Sequence, residues 1–121
     1  MTILIVDDSK LIRKTIKRCL ENMYIPCQYK EASNGQEALK QLQSQPVNLV
    51  FLDWNMPVMS GIDFLKQVRA MEAYKTLPIV MVTSEGARDN VIEAIENGVT
   101  DYIVKPIREQ YIREKVLKII A

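Results

Sequence analysis

Residues 47–57 read VNLVFLDWNMP and form the most strand-like stretch of the chain. Its first six residues, 47–52, are mostly apolar, rich in branched and aromatic side chains, and too few for a typical helix. A run of this kind predicts a strand that is buried between two layers of helices. The run ends at a carboxylate, Asp53, so the strand brings an acid to one edge of the predicted sheet.

Strand-like runs alternate with apolar residues at helical spacing along the whole chain. The predicted strands are residues 3–6, 27–32, 47–52, 79–82 and 102–104. The apolar faces of the five predicted helices are Ile12, Ile16, Cys19, Leu20 and Met23; Ala38, Leu39 and Leu42; Leu65, Val68 and Met71; Val91, Ile92 and Ile95; and Ile112, Val116, Ile119 and Ile120. Because parallel neighbours need a crossover, this alternation predicts an α/β fold, (βα)5, doubly wound around a five-stranded parallel sheet.

Local signals mark the ends of these elements. Ser9 is a plausible N-cap for the first helix, and Ser60 followed by Asp63 has the spacing of a capping box. Asn34-Gly35 predicts a turn before the second helix, and Gly98 predicts a left-handed C-cap after the fourth. Residues 27–32 are more polar than the other strands, which predicts a position near the edge of the sheet.

Composition narrows the classes of function. The 121 residues are 48% hydrophobic and 26% charged, with a net charge of +1, which is typical of one globular domain and gives no overall attraction to nucleic acid or a membrane surface. Two cysteines without CxxC spacing, and no histidine, leave no zinc site. No apolar run approaches the roughly 20 residues of a membrane helix, so we expect a cytoplasmic, reduced protein.

Polar side chains follow four of the five predicted strands. The first strand is followed by Asp7 and Asp8, the third by Asp53, the fourth by Thr83 and the fifth by Lys105. In open α/β sheets the ligand site lies outside the carboxyl ends of the strands, so we expect these side chains to converge.

The negative charges of three converging carboxylates must be neutralised. Two carboxylates about 4 Å apart at an effective dielectric constant of about 20 repel by roughly 4 kcal/mol, so such a cluster either takes up protons or holds a cation. Oxygen ligands without histidine or thiolate favour Mg²⁺. A carboxylate beside a hydroxyl (Thr83) and an ammonium (Lys105) is suited to accept a phosphoryl group, which leads to the hypothesis that Asp53 is phosphorylated.

The residues at these positions resemble those of a known family, the receiver domains of two-component response regulators, and most closely its single-domain chemotaxis members. The resemblance covers essentially the whole chain and implies a single receiver domain over residues 1–121 without an effector domain. It also implies a flavodoxin-like sheet with strand order 2-1-3-4-5. The residues that carry it are Asp7-Asp8, Asp53-Trp54-Asn55-Met56-Pro57, Gly61, Met81-Val82-Thr83, Tyr102 and Lys105-Pro106.

The resemblance implies a role for each site residue. Asp53 is the expected phosphoryl acceptor and Lys105, joined to Pro106 by a cis bond, the expected phosphate-binding lysine. Mg²⁺ is expected to be bound by Asp8, Asp53 and the backbone carbonyl of Asn55, with Asp7 acting through a water.

Further residues are expected to transmit and to limit the signal. Thr83 resembles a switch hydroxyl and Tyr102 an aromatic that rotates inward behind it. Asn55 and Glu85 resemble positions that tune how fast the phosphoryl group is lost. The expected output surface is Val91, Ile95, Tyr102 and Lys115.

The function implied is that of a stand-alone regulator rather than an enzyme, with only self-phosphorylation and self-dephosphorylation. A histidine kinase is the expected phosphodonor, and a flagellar motor switch protein and a phosphatase are partners that the resemblance implies. Nucleic acid and membrane are not expected partners. Two alternatives stay open at this stage: an aspartyl-phosphate phosphatase acting on outside substrates, and a receiver cut from a DNA-binding regulator.

Overall fold

The computed structural model describes residues 1–84 and 87–120, and strands and helices alternate along this part of the chain. A short 3₁₀ helix, Glu72–Tyr74, which the sequence did not predict, precedes the fourth strand. The main elements are β1 (Thr2–Val6), α1 (Lys10–Glu21), β2 (Gln28–Ala32), α2 (Gly35–Ser44), β3 (Leu49–Asp53), α3 (Gly61–Ala70), β4 (Ile79–Thr83), α4 (Arg88–Glu96), β5 (Asp101–Val104) and α5 (Glu109–Ile120).

The five strands form one parallel sheet in the order β2-β1-β3-β4-β5. This arrangement confirms the predicted doubly wound fold, its flavodoxin-like strand order and the edge position of β2. None of the helices in the described part of the chain is long and apolar enough to cross a membrane.

Two apolar layers cover the two faces of the sheet. Successive strand residues point to opposite faces, so Val50 and Leu52 of β3 pack with α2, α3 and α4, whereas Leu49 and Phe51 pack with α1 and α5. All four of these side chains are fully buried. Burial of each contributes about 1.5–3 kcal/mol, which is why β3 contains no polar residue before its last position, Asp53.

The helix starts agree with the sequence except at α2. The Ser9 and Ser60 hydroxyls accept hydrogen bonds from the first turns of α1 and α3, as predicted. The prediction of a separate Asn34-Gly35 turn is wrong, because Asn34 is the N-cap of α2 and Gly35 its first residue. The Asn34 side chain accepts a hydrogen bond of 2.9 Å from the Glu37 N–H, which lets the helix begin at once.

The helix ends show two further differences. Met23 and Met71 were expected on helical faces but lie beyond the last residues of α1 and α3. In contrast, Gly98 follows α4 with φ of 87°, as the predicted left-handed conformation requires.

The apolar face predicted for α4 does not face the core. Ala94 is the buried residue of this helix, while Ile92 and Ile95 are 43% and 58% exposed and Val91 is half-buried. The helix packs through its small residue, so the larger branched side chains lie on the solvent side. An exposed apolar stripe of this kind is typical of an interaction surface.

Gly61 allows a close contact that shapes the connection after β3. Its N–H donates to the Trp54 carbonyl at 2.9 Å, and an added Cβ would overlap the backbone carbonyl oxygen of Asp53. We therefore expect Gly61→Ala to lower the free energy of unfolding in urea by about 2–4 kcal/mol.

Gly98→Ala is the matched control. Its added Cβ would have its nearest neighbour at 3.5 Å, so only the left-handed backbone is strained and we expect a loss of about 1 kcal/mol. Equal losses in the two variants would contradict the steric explanation for Gly61.

Candidate functional site

The acids that end two adjacent strands meet at the carboxyl edge of the sheet. β1 and β3 are neighbours with Val6 opposite Leu52, so the residues that follow, Asp7 and Asp53, lie side by side. Each of Asp7, Asp8 and Asp53 offers a carboxylate oxygen within 4.8 Å of the others. The structure thus brings the three acids together, as the sequence predicted.

Asp7 is held by several hydrogen bonds and is almost fully buried, with 2% of its surface exposed. Its N–H donates to the Ala32 carbonyl at 3.1 Å, and its Oδ1 accepts from the Ser9 N–H at 2.8 Å. Its Oδ2 is buried and has no hydrogen-bond partner among the described residues. A buried carboxylate oxygen left in this state needs a proton or a cation.

Lys105, the first residue after β5, faces the acids. Its Nζ lies 3.1 Å from Asp53 Oδ1 and 3.8 Å from Asp7 Oδ2. The Lys105 N–H donates to the Thr83 carbonyl at 2.7 Å, which attaches the connection after β5 to the end of β4. The bond to Pro106 is cis, as the resemblance implied. The lysine ammonium therefore contacts both buried acids of the cluster.

Burial makes the site electrostatically unfavourable without a further cation. Desolvation raises the pKa of Asp7 to about 6; the Ser9 N–H opposes this rise, while the Asp53 charge adds to it. Desolvation likewise raises the pKa of Asp53, against the lowering effect of Lys105. One lysine thus leaves three carboxylates incompletely compensated.

The donor set fits a hard divalent cation. The ligands are carboxylate oxygens, one of them the unpartnered Asp7 Oδ2, and Asp8 is exposed, which leaves an open side for water. Oxygen ligands from a few carboxylates with room for water suit Mg²⁺. The acid cluster is therefore consistent with divalent metal binding.

Thr83 ends β4 beside this cluster. Val82 is paired with Asp53 in the ladder, so Thr83 lies one residue beyond the level of Asp53. Its side chain is 2% exposed, and its hydroxyl has no hydrogen-bond partner among the described residues. The Thr83 hydroxyl is therefore the second buried polar atom of the site, after Asp7 Oδ2, that no described residue satisfies.

Tyr102 lies on β5 between two concave surfaces and is 37% exposed. Towards α4 a cavity of about 240 Å³ is lined by Ser84, Ala87, Arg88, Val91, Tyr102 and Val104. Towards α5 the same ring borders a groove of about 460 Å³. The tyrosine thus has space on both sides.

Lys115 of α5 lies over the aromatic ring of Tyr102. Its Nζ pairs with an Asp101 carboxylate oxygen at 3.1 Å and lies 5.8 Å from the centre of the Tyr102 ring. That distance is within the range of a cation–π contact. Lys115 therefore belongs to the same surface as Tyr102.

The remaining predicted residues lie around this site. Asn55 is exposed in the connection after β3, two residues beyond Asp53. Glu85 lies outside the described residues. Val91 and Ile95 lie on α4, whose apolar stripe faces solvent.

The sequence did not predict the backbone conformation of Val58, in the connection after β3, or the contact of Arg13 with Asp7. Val58 has φ of 68° and is 77% exposed, and the Met59 N–H donates to the Pro57 carbonyl at 2.7 Å across it. A β-branched residue rarely adopts this conformation, so the sequence carried no signal for it. Arg13 donates to the Asp7 carbonyl at 2.7 Å, and surface arginines are too common for its position to predict this contact.

The sequence matches the response regulator receiver domain family over residues 3–117, and the chain belongs to this family. The chemotaxis protein CheY of Pseudomonas aeruginosa is 46% identical over 98% of this chain and 95% of that protein. The chemotaxis protein CheY1 of Helicobacter pylori is 42% identical over 96% of this chain and 94% of that protein. The resemblance inferred from the sequence is confirmed.

Solved structures give the same result. The chemotaxis response regulator CheY4 of Vibrio cholerae superimposes with a TM-score of 0.87 at 32% identity, covering 98% of this chain and 97% of that one. A response regulator receiver protein from Pseudomonas putida gives a TM-score of 0.86 at 27% identity, covering 97% and 95%. The relatives are signalling proteins, which supports a response regulator of a phosphorelay.

The raised pKa of Asp7 predicts an unusual dependence of stability on pH. Between about pH 4 and 6 the folded protein binds a proton that the unfolded chain has released, so metal-free stability falls as pH rises through this range. Asp7→Asn removes the buried charge, and we expect it to raise the free energy of unfolding at pH 7 by about 1–3 kcal/mol. Urea unfolding in the presence of a chelator, repeated from pH 4 to 7, measures both effects.

Glu96→Gln is the control, because it removes an exposed acid from the last turn of α4. We expect it to change stability by no more than about 0.5 kcal/mol at any of these pH values. An Asp7→Asn protein with the same pH profile as the wild type would show that Asp7 is not the group responsible.

Proposed function

We propose that the protein is a two-component response regulator that accepts a phosphoryl group on Asp53 and then changes its affinity for a partner protein. The observation that carries this proposal is the position of Asp53, buried at the end of the central strand β3. The acids of β1 lie on one side of it, and the Lys105 ammonium lies 3.1 Å away on the other.

Asp7, Asp8 and Asp53, with the backbone carbonyl of Asn55, are the residues that would hold Mg²⁺. The bound metal would supply the positive charge that neutralises phosphoryl oxygens. The unpartnered Oδ2 of Asp7 supports this assignment, since it is a buried ligand atom that no described residue satisfies.

The chemical step is a transfer between two nucleophiles. A carboxylate oxygen of Asp53 attacks the phosphorus of a phosphohistidine in the kinase, the phosphorus–nitrogen bond breaks, and the imidazole leaves with the electron pair and takes up a proton. Lys105 then exchanges its contact with Asp53 for one with an oxygen of the transferred group. We infer that Asn55 and Glu85 influence how readily water removes this group.

The buried Thr83 hydroxyl is the group that would respond to phosphorylation of Asp53 and change the surface around Tyr102. We infer that it donates to a phosphoryl oxygen, because this gives a partner to an atom that has none among the described residues. Its movement towards Asp53 frees space next to the cavity of about 240 Å³, which Tyr102 can enter. The phosphoryl group thereby favours one arrangement of β4, α4 and β5 over another.

The partners follow from the relatives and from this surface. We propose a histidine kinase as donor, a flagellar motor switch protein as target, and a phosphatase that ends the signal, because several relatives are chemotaxis proteins. The surface for the target consists of Val91, Ile95, Tyr102 and Lys115. We also propose that a single receiver domain suffices, since the chain covers 95% of the CheY protein of Pseudomonas aeruginosa.

The first experiment tests the acceptor. We expect incubation with Mg²⁺ and acetyl phosphate to add one phosphoryl group, detected by intact-protein mass spectrometry, and Asp53→Asn to abolish the addition. Asp63→Asn, which changes an exposed aspartate of α3, should leave it intact. No adduct on the wild type, or an adduct that survives Asp53→Asn, would rule out Asp53 as acceptor.

The second experiment tests the target surface. Tyr102→Ala removes an aromatic side chain beside the α4 cavity, and we expect it to weaken binding of the phosphorylated protein to a purified motor switch protein at least about 10-fold, a loss of about 1.4 kcal/mol. Calorimetric titration gives the affinity, and mass spectrometry checks that Asp53 is still phosphorylated.

Tyr24→Ala is the matched control, because Tyr24 is a highly exposed tyrosine just beyond the end of α1. It should leave the affinity unchanged. Equal weakening by the two substitutions would contradict the assignment of this surface.

A further inference from the structure

The carbonyl of Asp7 lies just beyond the paired part of β1. Val6 is the last residue of β1 paired with either neighbouring strand, and the Asp7 N–H still donates to Ala32. Beyond that point the backbone turns into α1, and the carbonyl needs a donor from elsewhere. Arg13, in α1, supplies it: its Nη1 lies 2.7 Å from the Asp7 oxygen.

The same guanidinium is held at a second point. Its Nε donates to Glu31 Oε1 at 2.9 Å, on the edge strand β2, and the Arg13 side chain is only 16% exposed. The planar guanidinium of Arg13 thus links α1 both to β2, through Glu31, and to the backbone of Asp7. An ammonium group cannot reproduce this, because it lacks the rigid, divergent donors of the guanidinium.

The held carbonyl determines the direction of both acids. The peptide unit between Asp7 and Asp8 is planar, so fixing its carbonyl also fixes the N–H and Cα of Asp8. Ser9 holds one oxygen of Asp7 through its N–H, which leaves the other oxygen within the acid cluster. Asp8 is exposed, so its carboxylate depends on the backbone for its place in that cluster.

We propose that Arg13 is a positioning residue that aligns Asp7 and Asp8 for a divalent cation. The inference rests on the proposed function, since it assigns a residue to the metal site of that function. Partners that orient metal ligands typically change metal affinity by 10-fold or more when they are removed.

The sign of the effect separates this role from others. A guanidinium near a cation site repels the cation, so the loss of its charge alone would strengthen Mg²⁺ binding. A residue that only stabilised the fold would leave the Mg²⁺ affinity of the folded protein unchanged. If Arg13 positions the ligands, its removal weakens Mg²⁺ binding even though a positive charge is lost.

The experiment is a titration with MgCl₂ alone, at fixed pH and ionic strength, followed by the fluorescence of Trp54, the residue after Asp53. We expect Arg13→Gln to raise the dissociation constant roughly 10-fold. Arg18→Gln is the matched control: it removes the same charge from the exposed last turn of α1 and should leave the dissociation constant within about twofold, since exposed charges are screened.

Arg13→Lys keeps the positive charge but replaces the planar guanidinium with an ammonium group. We expect a dissociation constant between those of the wild type and Arg13→Gln, and urea unfolding verifies that each variant is folded. If Arg13→Gln does not fold, the lysine variant decides, because it keeps the positive charge and removes the two fixed donors that hold Asp7 and Glu31.

The outcomes are distinct. Binding that is unchanged or tighter in both Arg13 variants overturns the inference, whereas weaker binding supports it. A wild-type protein without any Mg²⁺ response overturns the inference together with the proposed metal site. The titration contains no phosphodonor, so a failure of Asp53 to accept a phosphoryl group would overturn the proposed function and leave this result standing.

Discussion

The crowding of three carboxylates at one edge of the sheet is the constraint on which the rest of the site depends. Asp7 and Asp53 are buried, and Lys105 is the ammonium that contacts both. Desolvation raises the pKa of each buried acid, so the folded chain carries an unfavourable charge arrangement in the absence of a cation. Such local instability is common where a protein binds a ligand, because the ligand then supplies the missing interaction.

The surrounding fold keeps this arrangement from relaxing. The apolar part of β3 is completely buried, and Gly61 lets α3 approach the backbone immediately after it. On the other side, backbone and side-chain hydrogen bonds hold Asp7, and Lys105 is attached to β4 through its N–H. Repulsion between the acids therefore cannot be relieved by small movements of the strands, and binding of a cation or a proton is the remaining response.

Thr83 lies beside the acid cluster, and Tyr102 lies on the neighbouring strand β5. The Thr83 hydroxyl is buried without a hydrogen bond among the described residues, and Tyr102 lies beside a cavity. On its outer side, Lys115 bridges Asp101 and the aromatic ring. In the function proposed above, Thr83 and Tyr102 would be the moving parts of a two-state element. The exposed apolar stripe of α4 lies next to this region and is the surface proposed above for the partner.

The sequence was enough to predict the alternation of strands and helices and the edge of the sheet at which the acids meet. Short apolar runs that end in polar residues can be recognised locally, and parallel connection brings their ends together. The packing of α4 through Ala94 and the contact of Arg13 with Asp7 could not be read from the sequence. The Asn34 cap is different, because its partner Glu37 is only three residues away and the Asn-x-x-Glu spacing was a local signal that the turn prediction passed over. The packing of α4 and the pairing of Arg13 with Glu31 depend on contacts between distant segments, where burial and hydrogen-bond geometry override local propensity, so neither composition nor spacing could reveal them.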